Sequence, residues 1–201
     1  QHHFVCDGHH PAQQRHRHGD DPGQLGDAVR AGGQTIVVDT GTGTKLTDKA
    51  RRQMQIRGEG GLLRGLEMLE IAPEDVDLVV DTHLHGDHAG GNTIWLDEAA
   101  GTVQPTFLSA EYVVQRREYE DAMQPNERTR ATYHPVNYQP LHDSGQMRLL
   151  EGDVELVQGV FGVVTPGHTP GHMSVRFESE GQHALFVCDM ASYAVHFERL
   201  G

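Results

Sequence analysis

Three imidazoles and a carboxylate fall within six residues at His83-Leu84-His85-Gly86-Asp87-His88, directly after the apolar run DLVVD. Four ligand-type side chains in six positions constrain this chain more than any other feature, because a solvated polar loop has no need of them. In extended backbone, side chains two apart point the same way. His83 and His85 can therefore grip one ion from one side. Asp87 and His88 follow a turn at Gly86 and can face a second ion. Imidazole and carboxylate suit zinc, iron, manganese or cobalt, with zinc the commonest. Gly86, Gly90 and Gly91 permit the tight backbone turns such a loop requires.

Two distant segments carry matching chemistry. Thr165-Pro166-Gly167-His168-Thr169-Pro170-Gly171-His172 follows the apolar run VFGVV, and Pro and Gly fix its backbone at a rigid turn. Asp189 closes the run ALFVCD. All three signals put a ligand-type residue at the C-terminal end of a strand, where sites collect in layered α/β folds.

The rest of the pattern supplies the elements between. QTIVVDTGTG reads as a buried strand and tight turn beginning at Gln34. Residues 48–57 read as a short helix. Leu62, Leu63, Leu66, Met68 and Leu69 form a helical stripe over 61–71, stopped by Pro73. PTFLSAE reads as a strand entering a helix capped by Ser109, running through Tyr112 and Val113 to Met123. A proline-rich stretch follows, QPNERTRATYHPVNYQPLHDSG, a long loop or broken helix in which Arg130, Tyr133 and Tyr138 are candidate substrate contacts. Beyond Gln146 come five short strands, MRLLEG, VELVQG, VFGVVTPG, MSVRFES and HALFVCD, several meeting at glycine turns.

Residues 1–33 differ. They hold six of the fifteen histidines and almost no periodic apolar pattern. A His-rich metal tract is one reading. A poorly ordered leader is the expected one, since so little apolar surface cannot offset ordering entropy. The net charge of −13, from 29 acidic and 16 basic residues, repels a phosphate backbone and argues against nucleic acid. Cys6 and Cys188 form no framework, and Cys188 reads as a buried thiol. No stretch approaches the roughly 18 apolar residues of a membrane span, and no apolar leader is visible. The default is a soluble, cytoplasmic protein. His134, His142 and His183 read as surface residues.

Taken together, THLHGDHAGG, TPGHTPGH, FVCD and VVDTGTG resemble the metal motifs of the metallo-β-lactamase superfamily over about residues 34–199. The resemblance implies an α/β fold, the αβ/βα four-layer sandwich, here incomplete at its C-terminus. Residues 34–201 would be the hydrolase domain and 1–33 an atypical N-terminal segment. It implies that His83, His85 and His168 hold a first metal, that Asp87 and His88 hold a second, and that Asp189 bridges them. Asp39 would order the metal loop from behind the ligands, and His172 would be structural or pocket-lining. Histidine at position 85, where the di-iron redox branch has glutamate, favours the zinc-hydrolase branch. The family's further histidine, well downstream of the bridging aspartate, has no counterpart: the chain ends at Gly201 and His196 lies too close.

The implied reaction is attack of a metal-activated hydroxide on a lactone or related carboxylic ester, with two zinc ions as cofactor. Asp87 would pass a proton to the leaving group. Tyr193 lies near the place where lactonases of this superfamily carry a tyrosine that assists the carbonyl. Phosphotriester or phosphodiester hydrolysis and a glyoxalase-type thioesterase are the alternatives on the same site. A truncated, inactive metal-binding protein is the alternative of another class. The partner expected is a small ester or lactone, with a homodimer as the assembly to test.

Overall fold

The computed structural model describes residues 4–5, 27–56 and 61–191. Its first sheet is built from three β-branched runs that alternate between two cores. The strands are β1 (Phe4–Val5), β2 (Asp27–Ala31), β3 (Gln34–Val38), β4 (Leu78–Val80), β7 (Glu111–Gln115) and β8 (Met147–Leu150), hydrogen-bonded in the order β1-β2-β3-β4-β7-β8. From β3 to β8 every pairing is parallel. Ile36, Val38, Leu78, Val80 and Val113 face one side, while Val37, Val79, Tyr112 and Val114 face the other. This period-2 division of short apolar runs is what a parallel sheet covered on both faces requires. Each of these side chains is fully or nearly fully buried, which contributes roughly 1.5–3 kcal/mol per side chain.

Helices cover the second face. α2 (Gly61–Met68) buries Leu66, α3 (Arg116–Met123) buries Tyr119 and Ala122, and α4 (Gln139–Asp143) buries Leu141. α1 (Asp48–Gln53) is capped by the Thr47 hydroxyl, which accepts from Ala50 N, and buries no residue. Against the first face packs an antiparallel sheet of β9 (Val154–Val157), β10 (Val160–Val164), β11 (Met173–Ser179) and β12 (Gln182–Phe186), in the order β12-β11-β10-β9. Val160, Met173, Val175 and Phe177 close the core between the two sheets. Helix, sheet and sheet are therefore stacked in the layered α/β manner expected.

Several elements differ from the sequence reading. Order does not begin at Gln34: Asp27–Ala31 pairs antiparallel with β3 across Gly32 and Gly33, whose φ of 58° and 77° give the left-handed turn a two-residue hairpin needs. Tyr112 and Val113 are not helical; they lie in central strand β7, and the helix starts only at Arg116. Ser109 caps nothing, because the β-branched pair Val113-Val114 serves better in a strand buried on both faces. The hairpin of β5 (Thr93–Asp97) and β6 (Thr102–Pro105) was not anticipated. Met147–Leu150 joins the first sheet, parallel to β7, rather than the hairpin sheet. Tyr193 and His196 lie outside the described residues, as does Cys6.

Candidate metal centre

Adjacent parallel strands deliver the site. β3 ends just before Asp39, β4 runs into residues 81–92, and the second sheet contributes the turn between β10 and β11 and the 3-10 turn Cys188–Met190 that follows β12. A backbone bond from Met173 N to Thr82 O, 3.0 Å, ties the two sheets at the loop itself. The glycines act here by close approach rather than by φ. A Cβ on Gly91 would lie 2.3 Å from Thr40 O, and one on Gly90 would lie 2.4 Å from Thr42 O. The loop after β3 and the loop after β4 thus pack backbone to backbone.

His83, His85 and His168 converge, as do His83, His88 and Asp189, each group with ligand atoms within 4.8 Å of one another. His168 Nε2 lies 3.1 Å from His85 Nδ1. Asp189 Oδ2 lies 3.3 Å from His168 Nε2, 3.5 Å from His88 Nε2 and 4.0 Å from His83 Nε2. Asp87 sits at the rim, 46% exposed, with Oδ2 3.7 Å from His88 Nε2. Its carboxylate meets the group at His88, and its charge also acts on His85. His172 is fully buried, its ring 5.3 Å from that of His83.

Asp39 fixes the imidazoles. Thr82 donates its hydroxyl to the Asp39 carboxylate at 2.8 Å. The Thr82 oxygen is then left to accept from His83 Nδ1, 3.1 Å away. His88 Nδ1 donates to Asp39 Oδ2 at 2.9 Å. Both rings therefore turn Nε2 toward Asp189, and neither Nε2 has a hydrogen-bond partner although both are buried. Buried imidazole nitrogens without partners are uncommon, and they are what a metal would occupy. The donor set of imidazoles plus one carboxylate fits zinc. His172 is wired similarly: its Nδ1 meets Thr165 Oγ1 at 2.9 Å, and its buried Nε2 is also unpartnered.

The electrostatics of His83 and His85 agree with ligand use, and those of His88 run the other way. Burial, reinforced by the neighbouring imidazoles, pushes His83 far below the usual histidine range. Burial and His168 bring His85 down to about 4. Both are thus neutral at pH 7, as ligands must be. Burial opposes charge on His88, but the carboxylates of Asp189 and Asp39 outweigh it and hold its pKa high. The same ion pair holds Asp189 below the usual carboxylate range. Asp39 and Cys188 adopt φ of 54° and 48°. Two left-handed non-glycine residues at one site are a cost that functional sites commonly carry.

Sequence reasoning missed several side chains that shape the centre. Thr82 is one. Asn92 is another, accepting from Thr40 Oγ1 at 2.8 Å and donating to Asp81 Oδ2 at 2.9 Å. Cys188 Sγ donates to Asp39 Oδ2 at 3.3 Å. Glu118, fully buried, accepts from Leu84 N, Tyr133 Oη and Thr169 Oγ1. Of the suggested substrate contacts, Tyr138 is wholly buried and donates to Ala122 O, Tyr133 is spent on Glu118, and Arg130 is exposed.

The sequence profile described as the metallo-beta-lactamase superfamily matches residues 28–198. The chain belongs to that superfamily. An N-acyl homoserine lactonase from a Bacillus species is 35% identical over 136 residues, 67% of this chain and 46% of the relative. An N-acyl homoserine lactonase of Rhizobium radiobacter is 30% identical over 69% of this chain and 50% of its own length. The chain spans about half the length of the curated relatives it matches. Among solved structures, a probable metal-dependent hydrolase from Staphylococcus aureus aligns with a TM-score of 0.68 and 31% identity, covering 76% of this chain and 52% of that one. A quorum-quenching N-acyl homoserine lactone lactonase aligns at 0.60 and 29%, covering 81% and 59%. The metallo-β-lactamase fold is thereby shared, and no helix among the described residues is long and apolar enough to cross a membrane.

Proposed function

We propose that this chain carries the metal-binding part of a zinc-dependent lactone hydrolase, acting on a small carboxylic ester of the homoserine lactone type. The observation that carries the reading is the convergence of His83, His85 and His168, and of His83, His88 and Asp189, with the ligand atoms of each group within 4.8 Å of one another. Lactonase relatives at 30–35% identity support the substrate class.

His83, His85 and His168 would hold a first ion, and Asp87 and His88 a second, with Asp189 between them. Bound there, divalent zinc supplies Lewis-acid polarisation of the ester carbonyl and lowers the pKa of water toward neutrality. The protein's part is orientation. Asp39 and Thr82 fix which imidazole nitrogen faces the centre. Asp87, half-buried at the rim, is assigned the return of a proton to the leaving alkoxide. Tyr193 is assigned the carbonyl contact, by its nearness in sequence to Asp189.

The test is zinc reconstitution of the full chain, followed by metal analysis and turnover of an N-acyl homoserine lactone, an aryl ester and a phosphotriester. Bound zinc with lactone opening is the expected result. Phosphotriester turnover without lactone turnover would replace the substrate class. Absence of zinc uptake would remove the metal assignment altogether, and zinc without any turnover would leave an inactive metal-binding protein.

A further inference from the structure

Glu118 stands at the start of α3, one strand away from the metal loop, and belongs to none of the converging ligand groups. Yet it is a carboxyl with no solvent exposure. Burying it is costly unless its oxygens are well supplied with donors. They are supplied by three segments that do not otherwise share an element. Leu84 N donates to Oε1 at 3.0 Å, Tyr133 Oη donates to Oε1 at 3.0 Å, and Thr169 Oγ1 donates to Oε2 at 2.5 Å.

Each donor is adjacent to a ligand. Leu84 lies between His83 and His85, with its side chain in the core on the far side of the loop. Thr169 follows His168. Tyr133 packs its ring 4.9 Å from that of His85 and forms an antiparallel bridge with it. A second contact backs the first: a Cβ on Gly171 would lie 2.2 Å from Glu118 N, so the 165–172 turn is seated against the same helix start. Burial raises the carboxyl's pKa above the usual glutamate value, and the three donors only partly offset it. The two carboxyl oxygens accept from all three donors at once.

We infer that Glu118 is a positioning residue whose carboxylate holds the segments carrying His83, His85 and His168 at the spacing a first metal requires. The inference rests on the metal reading above. It assigns Glu118 no contact with substrate or metal. It predicts that zinc affinity is set partly from 118, through the ligand-bearing backbone.

The experiment compares zinc affinity, by competition with a chromophoric chelator, and the visible spectrum of the cobalt-substituted full chain. Glu118→Ala should weaken zinc by about 10–100-fold, the usual effect of removing a group that orients ligands, and should alter the cobalt bands. Glu118→Gln keeps one acceptor oxygen and should fall between. Thr169→Val and Tyr133→Phe each remove a single hydroxyl donor and should weaken zinc by roughly fivefold, about one hydrogen bond's worth. They decide the matter if Glu118→Ala does not fold. Tyr138→Phe is the control: it deletes a buried hydrogen bond to the same helix without touching a metal loop, and should lower the melting temperature while leaving affinity and spectrum unchanged. Parental zinc affinity in the Glu118 and Thr169 variants overturns the inference alone. An equal affinity loss in Tyr138→Phe also overturns it, by showing general loosening. A parent chain that takes up no zinc overturns the metal reading and this inference together.

Discussion

The two halves of the centre are built differently. The first sheet presents two buried ligands, His83 at 0% and His88 at 1% side-chain exposure, each anchored by a hydrogen bond on Nδ1, beside the half-buried His85 and Asp87. The second sheet presents His168 and Asp189 at 33% and 26%, and neither has an anchor of the Asp39 kind among the described residues. One half is therefore part of the core as well as the site, and its residues serve stability and chemistry together. In the other half, His168 can be changed at little cost to the fold, whereas Asp189 also balances the buried His88.

Substitutions can break that contrast. The largest effect falls on metal uptake: His83→Ala and His168→Ala should each lose more than about 100-fold in zinc affinity, since merely orienting residues are worth about 10–100-fold. They should part company without metal. His83→Ala removes a fully buried ring and should lower unfolding free energy by about 1–3 kcal/mol, whereas His168→Ala should stay within about 0.5 kcal/mol. Urea unfolding of chelator-treated protein measures both, and equal losses would erase the distinction. Asp39→Asn comes next. It disturbs the acceptor shared by Thr82, His88 and Cys188, so zinc affinity should fall about 10–100-fold, and calorimetry of the apo chain should show a lower melting temperature as well.

Gly91→Ala tests the backbone seat of the buried half. The new methyl meets Thr40 O at 2.3 Å, and overpacking of this kind costs about 1–3 kcal/mol. The smallest effect per pH unit concerns Lys45, whose ammonium donates to Gly90 O at 2.6 Å and to Thr93 O. Burial brings its pKa from 10.5 down to about 8. Between those values the unfolded chain binds the extra proton, so this residue's contribution to stability should rise with pH, by less than about 1.4 kcal/mol per pH unit. Below pH 8 the charge is buried at full cost. Lys45→Met should flatten that segment of the stability–pH curve.

How much of this was legible in the residues depends on the range of the signal. His83, His85, His168 and Asp189 announce themselves because ligand chemistry clusters locally and sits at strand ends. β3 and β4 were legible because three or four consecutive β-branched or apolar residues bounded by Asp and Gly leave few alternatives. Glu118 was not legible: it lies on an ordinary charged helix, REYEDAM, and only the approach of Leu84, Tyr133 and Thr169 from three distant stretches sets it apart. The misreading of Tyr112 and Val113 has the same origin. In a run as short as EYVVQ, helix and strand periodicities are hard to separate, and the neighbouring strands β4 and β8 decide between them. Asp27–Ala31 gives a weak signal because Val29 is its one β-branched residue. Its pairing with β3 supplies what its own sequence lacks.

The bond from Met173 N to Thr82 O has a bearing on sequence drift. Two layers that could slide past one another as their side chains diverged are pinned by a peptide group, which every residue at those positions except proline at 173 would retain. The spacing of the two layers at the metal loop is thus held in part by backbone, independently of which side chains stand at 82 and 173.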